Sequence, residues 1–313
     1  MSRVADYQAV VRRMNMLIEM AINEPTGPQL TDVLCTTVPS DGADEGYEWL
    51  GSVPGMREWV GPRKFKQLLA YEYAIKNKLF ESSIELEKTR VDDDRIGMLN
   101  IMARRLVSKA RLHPNKVLAN LINTAEATLG YDGQYFYDTD HESGSSGVQS
   151  NLATQDITDP TAPTPEQFRD AVDAMVEEML GFKDDNGDEF IDGIVEVPND
   201  WTITIPRKYL RIASKAYGQE LTAEDVGGTI VATTRHELVR PRIVPLQKMT
   251  GNVIDLHYTG DEIKPFVFQD REGLTFDDKG ADDIEFKELK WMTKSRFNCG
   301  FLAWFFSYRW KFI

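Results

Sequence analysis

Val4, Tyr7, Val11, Met14, Ile18 and Ala21 recur at steps of three and four, the spacing of one face of an amphipathic helix. That periodicity predicts an opening helix that must dock on a surface. It breaks off at Pro25. Residues 25–61 are rich in Pro, Gly, Asp, Ser and Thr and carry Trp49 and Trp59, a composition that predicts an extended arm. Aromatic side chains are costly to leave in water, so the arm is expected to lie against another surface. From 63 to 90, polar and apolar positions alternate on both sides of Asn77-Lys78, with Phe65, Leu68, Leu69, Tyr71 and Tyr73 before it and Leu79, Ile84, Leu86 and Thr89 after. Alternation about a polar pair predicts a hairpin turning there, with limbs of ~33 Å at ~3.3 Å per residue.

A long helix is expected next. Asp92, Asp93 and Asp94 sit where an N-terminal macrodipole favours negative charge, and Ile96, Leu99, Ala103, Leu106 and Ala110 form its apolar stripe. Arg104, Arg105, Lys109 and Arg111 occupy the other side. About twenty residues at ~1.5 Å each give ~30 Å. Pro114 ends or kinks the helix, and Val117, Leu118, Leu121, Ile122 and Ala125 continue with helical spacing. Gln134-Tyr135-Phe136-Tyr137 reads as a strand, and Glu142 to Thr164 as a long loop. Thr164-Pro165-Glu166-Gln167 is a capping box with proline at the first helical position. The helix behind it buries Phe168, Ala171, Val172, Met175, Val176, Met179 and Leu180, and Gly181 closes it. Strands are expected at 194–197, 202–205, 229–234, 253–258, 266–269, 286–296 and 301–310, with a helix from Pro206 to Tyr217. Helices concentrated early and strands late indicate an α+β protein.

Composition narrows the function. The 313 residues include 36 Lys+Arg against 50 Asp+Glu, a net charge of −14, with 42% hydrophobic and 27% charged residues. These values are those of a globular chain, and the acid excess argues against general nucleic-acid binding. The acidity is regional: residues 131–200 hold 18 acidic side chains against 2 basic ones. The hairpin segment is basic by three and residues 31–60 are acidic by five, a pairing suited to parts that reach onto neighbouring copies. Cys35 and Cys299 match no zinc or redox spacing and are expected to be reduced thiols. No window approaches the ~18–20 apolar residues of a membrane helix, and Arg12, Arg13 and Glu19 interrupt the start in a way a signal peptide would not.

Few residues suggest chemistry. Asp138, Asp140 and His141 bring ligand-type atoms together, offering a remote reading as a metal-dependent enzyme. None of the four histidines, however, pairs with another at ligand spacing. Asp184, Asn186 and Asp188 resemble the opening of a calcium loop, but Glu189 and Val195 stand where that loop needs Gly and Glu. No phosphate-binding glycine loop, nucleophile elbow or metalloprotease helix is present. The tryptophans and phenylalanines of the last third are expected to form core or subunit interface.

A resemblance runs through nearly the whole chain. Tyr47-Glu48-Trp49-Leu50-Gly51, Pro54-Gly55-Met56-Arg57-Glu58-Trp59 with Arg63, and Ile75-Lys76-Asn77-Lys78-Leu79-Phe80-Glu81 look like the Mu-like phage major head subunit family. So do Asp92-Asp93-Asp94 with Gly97, His113-Pro114, and Tyr131-Asp132-Gly133-Gln134-Tyr135-Phe136 running to His141. Leu256-His257-Tyr258, Lys264-Pro265-Phe266 with Gln269 and Arg271, and Arg296 with Gly300 and Trp304 continue the match.

The resemblance implies an α+β tailed-phage major capsid fold of the Hong Kong 97 type. It assigns an N-terminal arm to 1–60, an extended hairpin loop to 61–91, a peripheral domain with a spine helix to 92–140 and 260–313, and an axial domain to 160–255. It implies a self-assembling structural protein, with no catalytic residues, cofactor or metal, whose hexamers and pentamers enclose double-stranded DNA without sequence-specific binding. The expected location is the virion capsid, by way of the host cytoplasm during assembly. Too few residues precede the hairpin for a large fused scaffold, so a separate scaffolding protein and a portal are expected partners. Assembly contacts are expected from Trp49 and Trp59 as apolar anchors, and from Arg63, Lys64, Lys66, Lys76, Lys78 and Glu81. The acidic stretch is expected to be a solvated face of the capsomer. An encapsulin-type cargo shell, or another self-assembling phage structural protein, is the alternative.

Overall fold

The computed structural model describes residues 3–47, 73–88, 97–142, 144–185, 187–191, 200–218, 221–226, 229–234, 239–279 and 288–313. The opening helix α1 (Arg3–Asn23) buries Val11, Met14, Ile18 and Ala21 as its periodicity requires. Its docking surface belongs to the same chain. Leu99, Ala103, Leu106 and Val107 of a helix after the hairpin segment meet it, with Leu289 and Trp291 beneath. Arg111 donates to the carbonyls of Glu24 (2.7 Å) and Ile22, and Arg104 pairs with Glu24 at 3.3 Å. The end of α1, whose last carbonyls lack helical partners, is thereby tied down.

Residues 30–47 are not a free arm. They form α2 (Leu30–Leu34), β1 (Cys35–Pro39) and β2 (Asp44–Gly46) and join the body, with Leu34, Cys35 and Tyr47 buried. Elements of three to five residues are too short for periodicity to expose in a segment so rich in turn residues. The expectation that aromatic residues here find a surface is met by Tyr47, while Trp49 and Trp59 lie outside the described residues.

The chain also does not reverse at Asn77-Lys78. β3 (Ala74–Lys76) pairs with β2, whereas β4 (Lys78–Glu87) pairs along its whole length with β12 (Glu288–Phe301). Alternation on both sides of Asn77 correctly marks two strands, but each has a partner elsewhere. The first sheet runs β1-β11-β12-β4, where β11 is Phe266–Lys279. Against it pack α1 and α3 (Gly97–Arg111), the helix that meets α1. Pro114 sits in the first turn of α4 (His113–Asn123), so one helix ends and a second begins at the proline, as expected. Asp92, Asp93 and Asp94 lie outside the described residues.

The second sheet has the order β5-β13-β10-β6-β9. Its strands are β5 (Leu152–Gln155), β6 (Trp201–Pro206), β9 (Arg242–Leu246), β10 (Val253–Tyr258) and β13 (Ser307–Phe312). α5 (Pro165–Leu180) packs against β10 and β13 and against α6 (Leu210–Tyr217). The capping box closes as expected: Gln167 N donates to Thr164 Oγ1 at 3.2 Å, and Thr164 N to Gln167 Oε1 at 2.8 Å. β7 (Leu221–Val226) and β8 (Thr229–Thr234) form a separate hairpin. Gln134–Tyr137 is not a strand. Gly133, at φ +82, turns the chain so that Phe136 and Tyr137 enter the core from a loop. The run 301–310 likewise breaks at a 3₁₀ turn, Trp304–Phe306, before β13 begins. β11 and β12 belong to the first sheet and β13 to the second, and residues from all three share one core.

Cys35 and Cys299 are free and buried. They lie on strands either side of β11, opposite Phe266 and Phe268. Burial first, and then the hydrogen-bonded Cys299 thiol, pushes the Cys35 thiol well above its usual pKa and favours its protonated form.

Candidate assembly surface

Tyr47 and Tyr73 are held side by side, Tyr47 N donating to Tyr73 O at 2.8 Å, as a continuation of the β2–β3 ladder. Tyr47 and Tyr73 therefore lie on one stem, ahead of the turn expected at Asn77. Trp49, Trp59, Arg63, Lys64 and Lys66 fall between the two in sequence, outside the described residues. Lys76, Lys78 and Glu81 are described, and all three are exposed.

A buried polar network fixes the stem. Tyr47 Oη donates to Gln269 Oε1 at 3.1 Å, and Gln269 Nε2 donates to Ile75 O (3.0 Å) and Asn77 Oδ1 (3.1 Å). Asn77 Nδ2 donates in turn to Ser40 Oγ at 2.7 Å and Gly42 O at 3.1 Å. Asn298 Nδ2 reaches Lys76 O at 2.8 Å. Fully satisfied buried networks of this kind hold one arrangement firmly. Glu45 closes the turn before β2, accepting from Gly42 N, Ser40 Oγ and Asp41 N at 2.8–2.9 Å. Those hydrogen bonds, led by Gly42 N and Ser40 Oγ, hold its carboxyl below the usual carboxylate range. Burial pushes the Tyr73 hydroxyl up to about 12, against the pull of the hydrogen bond from Phe301 N.

Backbone contact completes the seat. A Cβ on Gly300 would collide with Ile75 Cδ1, so the Ile75 side chain of β3 rests on the bare backbone of β12. Gly300→Ala is expected to cost about 1–3 kcal/mol through overpacking and to loosen the stem. Urea denaturation measures the first effect, and faster amide exchange at Tyr47 N the second.

The trio Asp138, Asp140 and His141 does not converge as a ligand set. His141 is fully buried and stacked on Trp304 at 4.0 Å, with Nδ1 on Asp132 Oδ2 (2.6 Å) and Nε2 on Asn151 Oδ1 (3.2 Å). Asp138 caps its own turn through Tyr135 N and Thr139 N, while Asp140 is exposed. Both ring nitrogens are engaged, so the histidine serves packing. Among the described residues no three His, Cys, Asp or Glu side chains are grouped to hold a metal ion.

Local reading overlooks Ser40, Asn298, Lys116 and Lys248. The first two join the stem only through partners distant in sequence, and the two lysines reach one hollow from α4 and from the turn after β9. No local pattern signals any of them.

A family described as "Mu-like prophage major head subunit gpT" matches residues 8–162. The Mu-like prophage FluMu major head subunit of Haemophilus influenzae is 33% identical over 132 residues, 42% of each chain. The chain spans less than half the length of the curated relatives it matches. The procapsid protein of bacteriophage JBD30 superposes with a TM-score of 0.55 at 22% identity, over 98% of this chain and 75% of that one. The capsid protein of cyanophage P-SCSP1u superposes with a TM-score of 0.60 at 11% identity, over 93% and 91%. Residues 8–162 thus resemble the Mu-like prophage major head subunit family, and the described residues of the chain adopt the tailed-phage capsid fold of the Hong Kong 97 type.

Proposed function

We propose that this chain is a major head subunit, a structural protein and not an enzyme, whose copies form the hexamers and pentamers of an icosahedral virion shell around double-stranded DNA. The observation that carries the reading is a head-subunit sequence joined to a capsid fold. Assembly energetics replace catalysis: contacts repeated at every copy add up, so each can be weak while the closed shell is stable. A separate scaffolding protein and a portal complete the set of partners. The acid excess suits a container that encloses DNA without gripping it.

Electron microscopy of the purified chain, alone and with a scaffold candidate, tests the reading. Closed shells or capsomer rings are expected, and a strictly monomeric protein under all conditions would overturn it. Particles carrying a protein load and no DNA would favour a cargo shell. Lys76 and Lys78 flank the buried Asn77 and point into solvent, ready to meet carboxylates of a neighbour. Each such pair contributes about 0.2–1 kcal/mol. Repetition at every copy means that Lys76→Glu with Lys78→Glu should lower shell yield several-fold and alter its salt response. Unchanged yield and salt response in light scattering would sink the contact.

A further inference from the structure

Two adjoining hollows meet at Phe80, His113 and Lys116 and form one trough between β4, β12 and α4. The larger part has a volume of about 610 Å³, with Ile75, Phe80, Leu121 and the exposed Leu129 supplying apolar surface. Around it stand six exposed lysines, Lys76, Lys78, Lys109, Lys116, Lys248 and Lys294, of which Lys294 is paired with Glu272 and Asp277. Among the described lining residues Glu81 is the single carboxylate. Within the described part of the chain, Lys76, Lys78, Lys109 and Lys116 make no ion pair, and Lys248 reaches only the amide of Asn120, at 3.4 Å.

Such a concentration of like charge, in a chain of net charge −14, is relieved by a counter-charge brought from outside. A second observation points into the same place. His113 Nε2 is buried with no hydrogen-bond partner among the described residues. Burial first, then Lys116 and Lys248, lowers the pKa of that ring and favours its neutral form. A carboxylate seated in the trough would give the nitrogen an acceptor and would offset the lysines.

The same chain carries the complement. On α5, Glu166, Asp170, Asp173 and Glu177 follow steps of four, three and four, which puts them on one helix face. Glu166, Asp170 and Glu177 are exposed. They belong to the segment 131–200 with its 18 acidic residues against 2 basic ones. We propose that the trough receives the carboxylate face of α5 from a second copy of this chain. The contact is heterologous, one surface meeting a different surface, and such contacts close rings and shells instead of stopping at a dimer. The apolar floor favours a protein occupant over bare phosphates. This inference rests on the capsid reading and assigns that reading a specific interface.

Zero-length carbodiimide coupling tests it, using particles assembled from a mixture of ordinary and ¹⁵N-labelled full-length chains. Mass spectrometry is expected to find amide links between different copies, joining Lys78, Lys116 or Lys248 to Glu166, Asp170 or Glu177. Links confined to one copy, links only to other carboxylates, or protection of these lysines that vanishes on nuclease treatment would each overturn the proposal while leaving the shell intact. A charge swap supplies a second readout. Lys78→Glu with Lys116→Glu should cut particle yield at least tenfold with circular dichroism unchanged, and adding Asp170→Lys with Glu177→Lys should restore it. Failure of that restoration would overturn the interface. Absence of particles from the unaltered chain would overturn the capsid reading first, and this inference with it.

Discussion

Arg309→Leu should cost the folded chain about 3–5 kcal/mol, the range for removing one partner of a buried ion pair. Arg309 is 3% exposed in β13, and its guanidinium donates twice to Asp255, at 2.7 Å each. It also donates to Glu126 Oε1 and Ile122 O at 3.0 Å, and it lies 4.3 Å from the centre of the Tyr137 ring. Burial opposes the charge on Arg309, but the Asp255 carboxylate more than offsets it, and the pKa rises. Leucine would leave Asp255, itself fully buried, with its charge uncompensated. Glu126 is less affected, being partly exposed and also held by Lys311. Urea denaturation checks the loss. Converting the pair together, Arg309→Met with Asp255→Leu, should recover most of it, because replacing a whole buried pair by apolar groups is often neutral. A single variant losing under about 1 kcal/mol would contradict the assignment.

Acid should destabilise the same region by a comparable amount. His257 lies fully buried on β10, with Nδ1 2.9 Å from Ser307 Oγ and Nε2 3.0 Å from Thr204 Oγ1. Burial, and secondarily the charge on Arg309, lowers its pKa from 6.5 to about 3. The unfolded chain takes up a proton as the pH falls through 6.5, whereas the folded chain refuses it until about 3. Stability from this group is therefore fully present above pH 6.5 and is lost progressively down to about 3. By pH 4 the loss from this residue amounts to about 3 kcal/mol. Denaturation curves at pH 7 and pH 4 measure it. His257→Gln should be weaker at pH 7 and show a flatter decline, and an equally steep decline would assign the acid sensitivity to other groups.

The contrast between legible and illegible parts has a physical basis. α1 and α5 could be read because each presents a continuous apolar face over four or more turns, and because Thr164 and Gln167 cap α5 from within its own sequence. The long strands β11 and β12 were visible as β-rich runs, though each extends beyond the stretch that was legible. The Asn77 turn failed for a different reason. Alternation identifies a strand but not its partner, and β3 and β4 pair with strands 30 and more than 200 residues away. Gln134–Tyr137 has strand-like residues, yet Gly133 imposes a turn and Phe136 and Tyr137 are buried by tertiary contacts. At the assembly surface Lys76 and Lys78 were recognisable as a local basic pair. Lys109, Lys116 and Lys248 join them only once α3, α4 and the turn after β9 are brought together.

The position of β13 bears on how the protein is made. Ser307–Phe312 lies between β5 and β10, so the strand synthesised last in the second sheet occupies its interior. While the ribosome is still upstream, β5 has no neighbour, Asp255 has no Arg309, and the Ser307 hydroxyl that His257 and Tyr137 share is missing. A nascent chain in that state lacks the centre of its sheet and cannot complete its fold. On the capsid reading proposed above, a prematurely terminated product would have no finished surface to offer a neighbouring copy.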